Sequence, residues 1–192
     1  MSDYENPDYR LKFASKDARD FAEAFGAQRL RLYRDVASKV LVDRAATRDA
    51  VVDGLEWLQK QVTSRDVGML FLAGQGINAP DGNYYFAPAN FDLNAIKRTG
   101  VVFTEIKNTL ASMAGKALFF VDRCHSGNVL GGRRALPDLN AMVNELSSAE
   151  NGVVVFSSAT GREAAYEDAA WANGAFTRAL VEGVGGKADV NQ

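Results

Sequence analysis

An α/β sandwich built on a mostly parallel sheet is the fold class this sequence predicts, on three observations. Three short apolar runs, GMLFLA (68–73), ALFFVD (117–122) and GVVVFSS (152–158), are nearly unbroken by polar residues, as strands buried on both faces require. Helical patterns lie between them, in TEIKNTLASMAG (104–115) and DLNAMVNELSSA (138–149). Such alternation implies parallel strands joined by right-handed crossovers, with helices on both sides to make three layers. With 192 residues, one domain with a sizeable core is expected.

The elements follow in order. SKDARDFAEAFG (15–26) reads as a helix that opens at Ser15, carries Ala18, Phe21, Ala22 and Phe25, and closes at Gly26. RLRLYRDV (29–36) alternates and is expected as a strand. Thr47 is expected to cap a long helix with Val51, Leu55, Leu58 and Val62 on one face. The three apolar runs then end in AGQG, DRCHSG and SSATG. Chemistry in such sheets gathers beyond the carboxyl ends of the strands, so these are the stretches to read for function. No internal repeat or low-complexity segment is visible.

Composition narrows the classes. Hydrophobic content of 47% and charged content of 24% are ordinary for a globular protein. A net charge of −2 argues against a nucleic-acid surface. The start MSDYENPDYR is too polar for a signal peptide, and no apolar run is long enough to span a membrane. One cysteine and one histidine exclude an internal disulfide and disfavour a zinc site. A cytoplasmic protein is expected.

GQGINA (74–79) matches a dinucleotide fingerprint by letter, but Pro80, Asp81, Gly82 and Asn83 follow at once. They signal a turn where the phosphate site needs a helix. ALFFVDRCHSGN places Cys124 just past a buried strand in a polar loop, outside the apolar run where structural cysteines sit. A nucleophilic thiol needs a group to take its proton. His125 is the immediate neighbour, and adjacent side chains on an extended segment point opposite ways. The facing strand end supplies only Gln75.

The pair FLAGQG and VDRCHSG, about 50 residues apart, resembles the two active-site motifs of the caspase–metacaspase superfamily. In that superfamily one strand ends in Ser/Ala-Gly-His-Gly and the next in Asp-X-Cys-X-Ser-Gly. Further similarity runs through LKFASKDARDFAEAF, DGNYYFAPANFD, FSSATGREAAYED and NGAFTRALVEGV, so it covers nearly the whole chain. The resemblance implies a caspase-like peptidase domain over 1–192, with a large-subunit-like part to about 134 and a small-subunit-like part from about 135.

It also implies roles. Cys124 would be the nucleophile, and backbone N–H groups of Gly76 and Cys124 would hold the oxyanion. Asp122 and Asp17 would be acidic walls of the pocket for the residue before the scissile bond, favouring peptide substrates with Arg or Lys there. Alternatively, Asp17 caps a helix and Asp122 only ends a strand. Ser157, Ser158 and Trp171 could line the groove, or be turn hydroxyls and a core aromatic. Arg133 and Arg134, in NVLGGRRALPD (128–138), read as an exposed loop suited to self-cleavage. Many metacaspases need calcium, yet Asp81, Asp92 and Asp138 are scattered without calcium-loop spacing; no metal or other cofactor is expected.

Three departures from the family pattern stand out. Gln75 takes the place of the catalytic histidine, and an amide cannot shuttle protons. The family's first hydrophobic strand does not precede MSDYENP, so an unpaired sheet edge is expected unless a partner or another segment fills the gap. The ending GGKADVNQ stops where relatives commonly continue. Two functions follow: a cysteine endopeptidase inactive through Gln75, or a non-catalytic scaffold that keeps the fold and pocket.

Overall fold

The computed structural model describes residues 1–123, 146, 152–158, 167–168 and 172–189. Two helices come first, α1 (Ala14–Gly26) and α2 (Arg48–Gln61), followed by strands β1 (Val67–Gly74), β2 (Gly76–Asn78) and β3 (Tyr84–Phe86). Next are the short α3 (Ile96–Thr99), β4 (Val101–Val102), α4 (Phe103–Ala111) and β5 (Lys116–Arg123). The remaining elements are β6 (Val154–Ser157), β7 (Glu167–Asp168), β8 (Asn173–Gly174) and α5 (Ala175–Glu182).

The three apolar runs become the three strands of one parallel sheet, in the order β1-β5-β6. Alternate residues of each strand serve opposite faces. On one face Phe21 of α1 stacks on Phe71 with ring centroids 4.5 Å apart and meets Phe120 edge-on at 5.0 Å. Phe120 in turn stacks on Phe156 at 4.8 Å. On the other face Leu70, Leu72, Phe119 and Val121 join the main core with Leu55 of α2 and with Ile106 and Leu110 of α4. Sheet and flanking helices therefore form the α/β architecture that the apolar runs predict. The α2 cap is also as expected, since Thr47 Oγ1 accepts the Ala50 N–H at 3.3 Å.

The expected strand at 29–36 is not formed. Leu30 adopts a left-handed backbone, φ 60°, and the Gln28 carbonyl accepts the N–H groups of Arg31, Leu32 and Tyr33. These bonds define a turn. Alternation makes a strand only where a partner edge is offered, and the described residues here show just an isolated Arg29–Tyr33 bridge. Leu30 and Leu32 are left 81% and 70% exposed.

After Gly76 the chain makes a hairpin, with β2 antiparallel to β3 and β3 to β4. Its tip turns at Gly82, φ 82°, where Ala79 and Asn83 pair. The turn read at Pro80–Asn83 is thus formed, and no helix starts within GQGINA. The descriptions of helix 138–149 and of the loop 128–138 lie outside the described residues, apart from the buried Leu146.

On the side away from β5, β1 pairs with no described strand. The Met1 ammonium donates to the Ala73 carbonyl there at 2.6 Å. Beside it opens a cavity of about 990 Å³, walled by β1, Phe21 and Phe25 of α1, Leu55 and Leu58 of α2, and the stretch 33–41.

Candidate active site

The parallel register places Gly74 beside Arg123 and Val121 beside Ser157. Gln75 is the next residue after the end of β1, and Cys124 is the next after the end of β5. Cys124, Arg133, Arg134 and Trp171 lie outside the described residues.

Gln75 is buried, 4% exposed, and the N-terminal segment holds it. Its N–H donates to Tyr4 Oη at 2.9 Å, and its Nε2 donates to the Tyr9 carbonyl at 3.2 Å. Its carbonyl accepts the Ala87 N–H at 3.0 Å. Tyr4 and Tyr9 are themselves buried and meet edge to face, 6.1 Å between centroids.

The two glycines around Gln75 are set by packing. A Cβ at Gly74 would meet Tyr4 Oη at 2.9 Å and the Phe86 ring at 3.1 Å. A Cβ at Gly76 would run into the Tyr84 ring. Only glycine lets the chain thread between these aromatics.

The N-terminal segment is tied down by Asp43, whose Oδ1 accepts the N–H of Ser2 at 3.0 Å, the N–H of Asp3 at 2.9 Å and the Ser15 hydroxyl. Burial alone would push the Asp43 carboxyl up, but these hydrogen bonds and the nearby amino terminus hold it below the usual carboxylate value.

Asp17 and Asp122, 105 positions apart in the chain by their numbers, come together at Gly174. Both are buried, at 2% and 3% exposure. A Cβ on Gly174 would lie 2.8 Å from Asp122 Oδ2 and 3.4 Å from Asp17 Oδ2. Asp17 Oδ1 accepts from Asn173 Nδ2 at 2.8 Å and from the Gly174 N–H at 3.2 Å. Asp122 Oδ2 accepts from Thr177 Oγ1 at 2.9 Å. Asn173 Nδ2 also donates to Asp20 Oδ2 at 2.7 Å, and its Oδ1 accepts from Lys16 Nζ at 3.2 Å. Burial opposes ionisation of Asp20, but hydrogen bonds from Lys16 and Asn173 and the nearby Lys16 and Arg178 charges bring its carboxyl below the usual value. The Asp17 carboxylate reaches across to the start of α5.

Ser157 ends β6, half-buried, and the Ser158 N–H bonds the Val121 carbonyl at 3.1 Å. Sequence reasoning missed four residues here: Tyr4, Tyr9, Asn173 and Thr177. The only advance signals were an Asn-Gly pair ahead of a helical stretch and two tyrosines in an otherwise polar leader. Asp81 and Asp92 are engaged locally, Asp81 with Asn83, Tyr85 and Lys97, and Asp92 capping Asn94. Among the described residues no group of three His, Cys, Asp or Glu is placed to hold a metal ion. None of their helices is long and apolar enough to cross a membrane.

Set against known proteins, residues 1–192 match the family model described as Caspase domain. No curated protein matches the chain. Among solved structures, the crystal structure of a Geobacter sulfurreducens protein superposes with a TM-score of 0.61 at 23% identity, covering 90% of this chain and 72% of that one. That likeness is one of fold.

Proposed function

The chain belongs to the caspase-domain family, and from that membership we propose that it is a metacaspase-type cysteine endopeptidase domain, built to cleave after Arg or Lys and silenced by Gln75. The seat of Gln75 carries the reading. It is buried at the end of β1, next to the strand that stops one residue short of Cys124, with Nε2 on the Tyr9 carbonyl. A histidine in that seat could give one ring N–H to the same carbonyl, fixing its tautomer and leaving the other nitrogen for proton transfer. Glutamine keeps the anchor and loses the chemistry, since an amide does not exchange protons usefully near neutral pH.

In this reading the Cys124 thiolate attacks the scissile carbonyl, and the N–H groups of Gly76 and Cys124 hold the oxyanion. With histidine at position 75 the imidazole would take the Cys124 thiol proton and give it to the leaving amine, after which water would hydrolyse the thioester; Gln75 can do neither. Asp17 and Asp122 receive the guanidinium or ammonium of the residue before the cut, with charge-assisted hydrogen bonds. Ser157 and Trp171 line the substrate groove. A binding or regulatory scaffold is the second reading. It is favoured by how fully Gln75 is bonded, because a fold that holds a non-titrating residue this firmly can keep its pocket without turnover.

The test is to assay Gln75→His against fluorogenic peptides ending in Arg and in Asp. Turnover of the Arg-ending peptide is expected to rise by about a hundredfold or more, and Cys124→Ala in that background to abolish it. The active form is also expected to cut itself after Arg133 or Arg134, seen by mass spectrometry as a new amino terminus at Arg134 or Ala135. Equal, negligible turnover in a folded Gln75→His variant would leave the scaffold reading in place.

A further inference from the structure

One corner of the chain reaches both Asp17 and Asp122. Asn173 and Gly174 donate to Asp17, and Thr177 donates to Asp122. The corner is where β8 hands over to α5, with Gly174 as the helix cap. Asn173 and Thr177 are buried, Thr177 completely.

Two carboxylates packed against one glycine repel each other in a site of low dielectric. Neutral donors fixed on a helix start, the Gly174 N–H and the Thr177 hydroxyl among them, hold these carboxylates. Gly174 sets the spacing, because a methyl group there would sit 2.8 Å from one carboxylate oxygen and 3.4 Å from the other. The hydroxyl of Thr177, one turn on, reaches Asp122 from the same side.

We infer that Gly174 and Thr177 are positioning residues that set the specificity of the acidic pocket. Gly174 leaves the space in which both carboxylates converge, and Thr177 aims the Asp122 carboxylate. The inference rests on the proposed reading of Asp17 and Asp122 as the pocket for a basic side chain. Neither residue touches the reacting atoms in this scheme. They act through the two acids, so their loss should lower selectivity between a charged and an uncharged side chain more than it lowers turnover.

The experiment uses the full chain carrying Gln75→His. Its readout is the ratio of kcat/KM for a peptide ending in arginine to that for the same peptide ending in uncharged norleucine, with circular dichroism to verify folding. A hydrogen bond to a charged group is worth enough that Thr177→Val should cut this ratio about tenfold or more, chiefly through KM for the arginine peptide. Thr177→Ser, which keeps the hydroxyl, should restore it. Gly174→Ala should also cut the ratio, by crowding rather than by loss of a donor, and it carries the test if the valine variant does not fold. A folded valine or alanine variant with unchanged selectivity would overturn the inference while leaving the proposed function intact. If the Gln75→His chain itself shows no preference for arginine, the acidic pocket fails and this inference falls with it.

Discussion

At the scale of single residues, Gln75 was legible because two motifs with fixed spacing bracket it, and a missing histidine in such a frame is conspicuous. Its partners were not. Tyr4 and Gln75 are 71 positions apart, and Asn173 and Asp17 are 156 apart. Contacts of that range leave no periodic trace in a sequence. Tyr4 now accounts for much of the local order, since its hydroxyl accepts the Gln75 N–H and, with the Phe86 ring, fills the space that Gly74 leaves open. Tyr4→Phe would strand a buried N–H, a defect that costs about 1–3 kcal/mol. We expect a loss of that size in urea unfolding with little change in the slope, and no measurable loss would mean that water or another group replaces the hydroxyl. Asp17 shows the opposite case: its type and position were readable, whereas its reach to a second helix was not.

At the scale of elements, the long apolar runs and the Thr47 cap were readable because each is a local pattern with a local cause. The segment 29–36 misled for the same reason: its alternation is local, but a strand needs a neighbour. The N-terminal segment is the element whose role depends wholly on tertiary contacts. Asp43 fastens it through Ser2, Asp3 and Ser15, and its carboxyl sits below the usual value despite the opposing effect of burial. An unfolded Asp titrates near 3.9. The stabilisation is therefore complete above roughly pH 4 to 5 and is lost as the pH falls through the lowered folded value. Hydrogen exchange at residues 2–9 should thus accelerate on acidification before the sheet opens. Asp43→Asn should show fast exchange there already at neutral pH. Unchanged exchange in that variant would mean that Ser15 and Met1 hold the segment without it.

At the scale of the whole molecule, three layers were predictable from the alternation of strands and helices, and the edge of the sheet followed from the family pattern alone. What could not be foreseen was the shape of that edge. Among the described residues no strand pairs with the second side of β1, whose MLFLA run carries neither charge nor proline and lies beside a cavity of about 990 Å³. Unpaired strand edges template further pairing. Light scattering is expected to show self-association that grows with protein concentration; a monomer at all concentrations would mean that the edge is shielded in solution. The contact between the Met1 ammonium and the Ala73 carbonyl carries a practical corollary for anyone handling the protein. Residues joined ahead of Met1 would start at the side of β1 beside the cavity, since the Met1 nitrogen sits on the Ala73 carbonyl there. An amino-terminal purification tag would accordingly begin against the apolar strand β1.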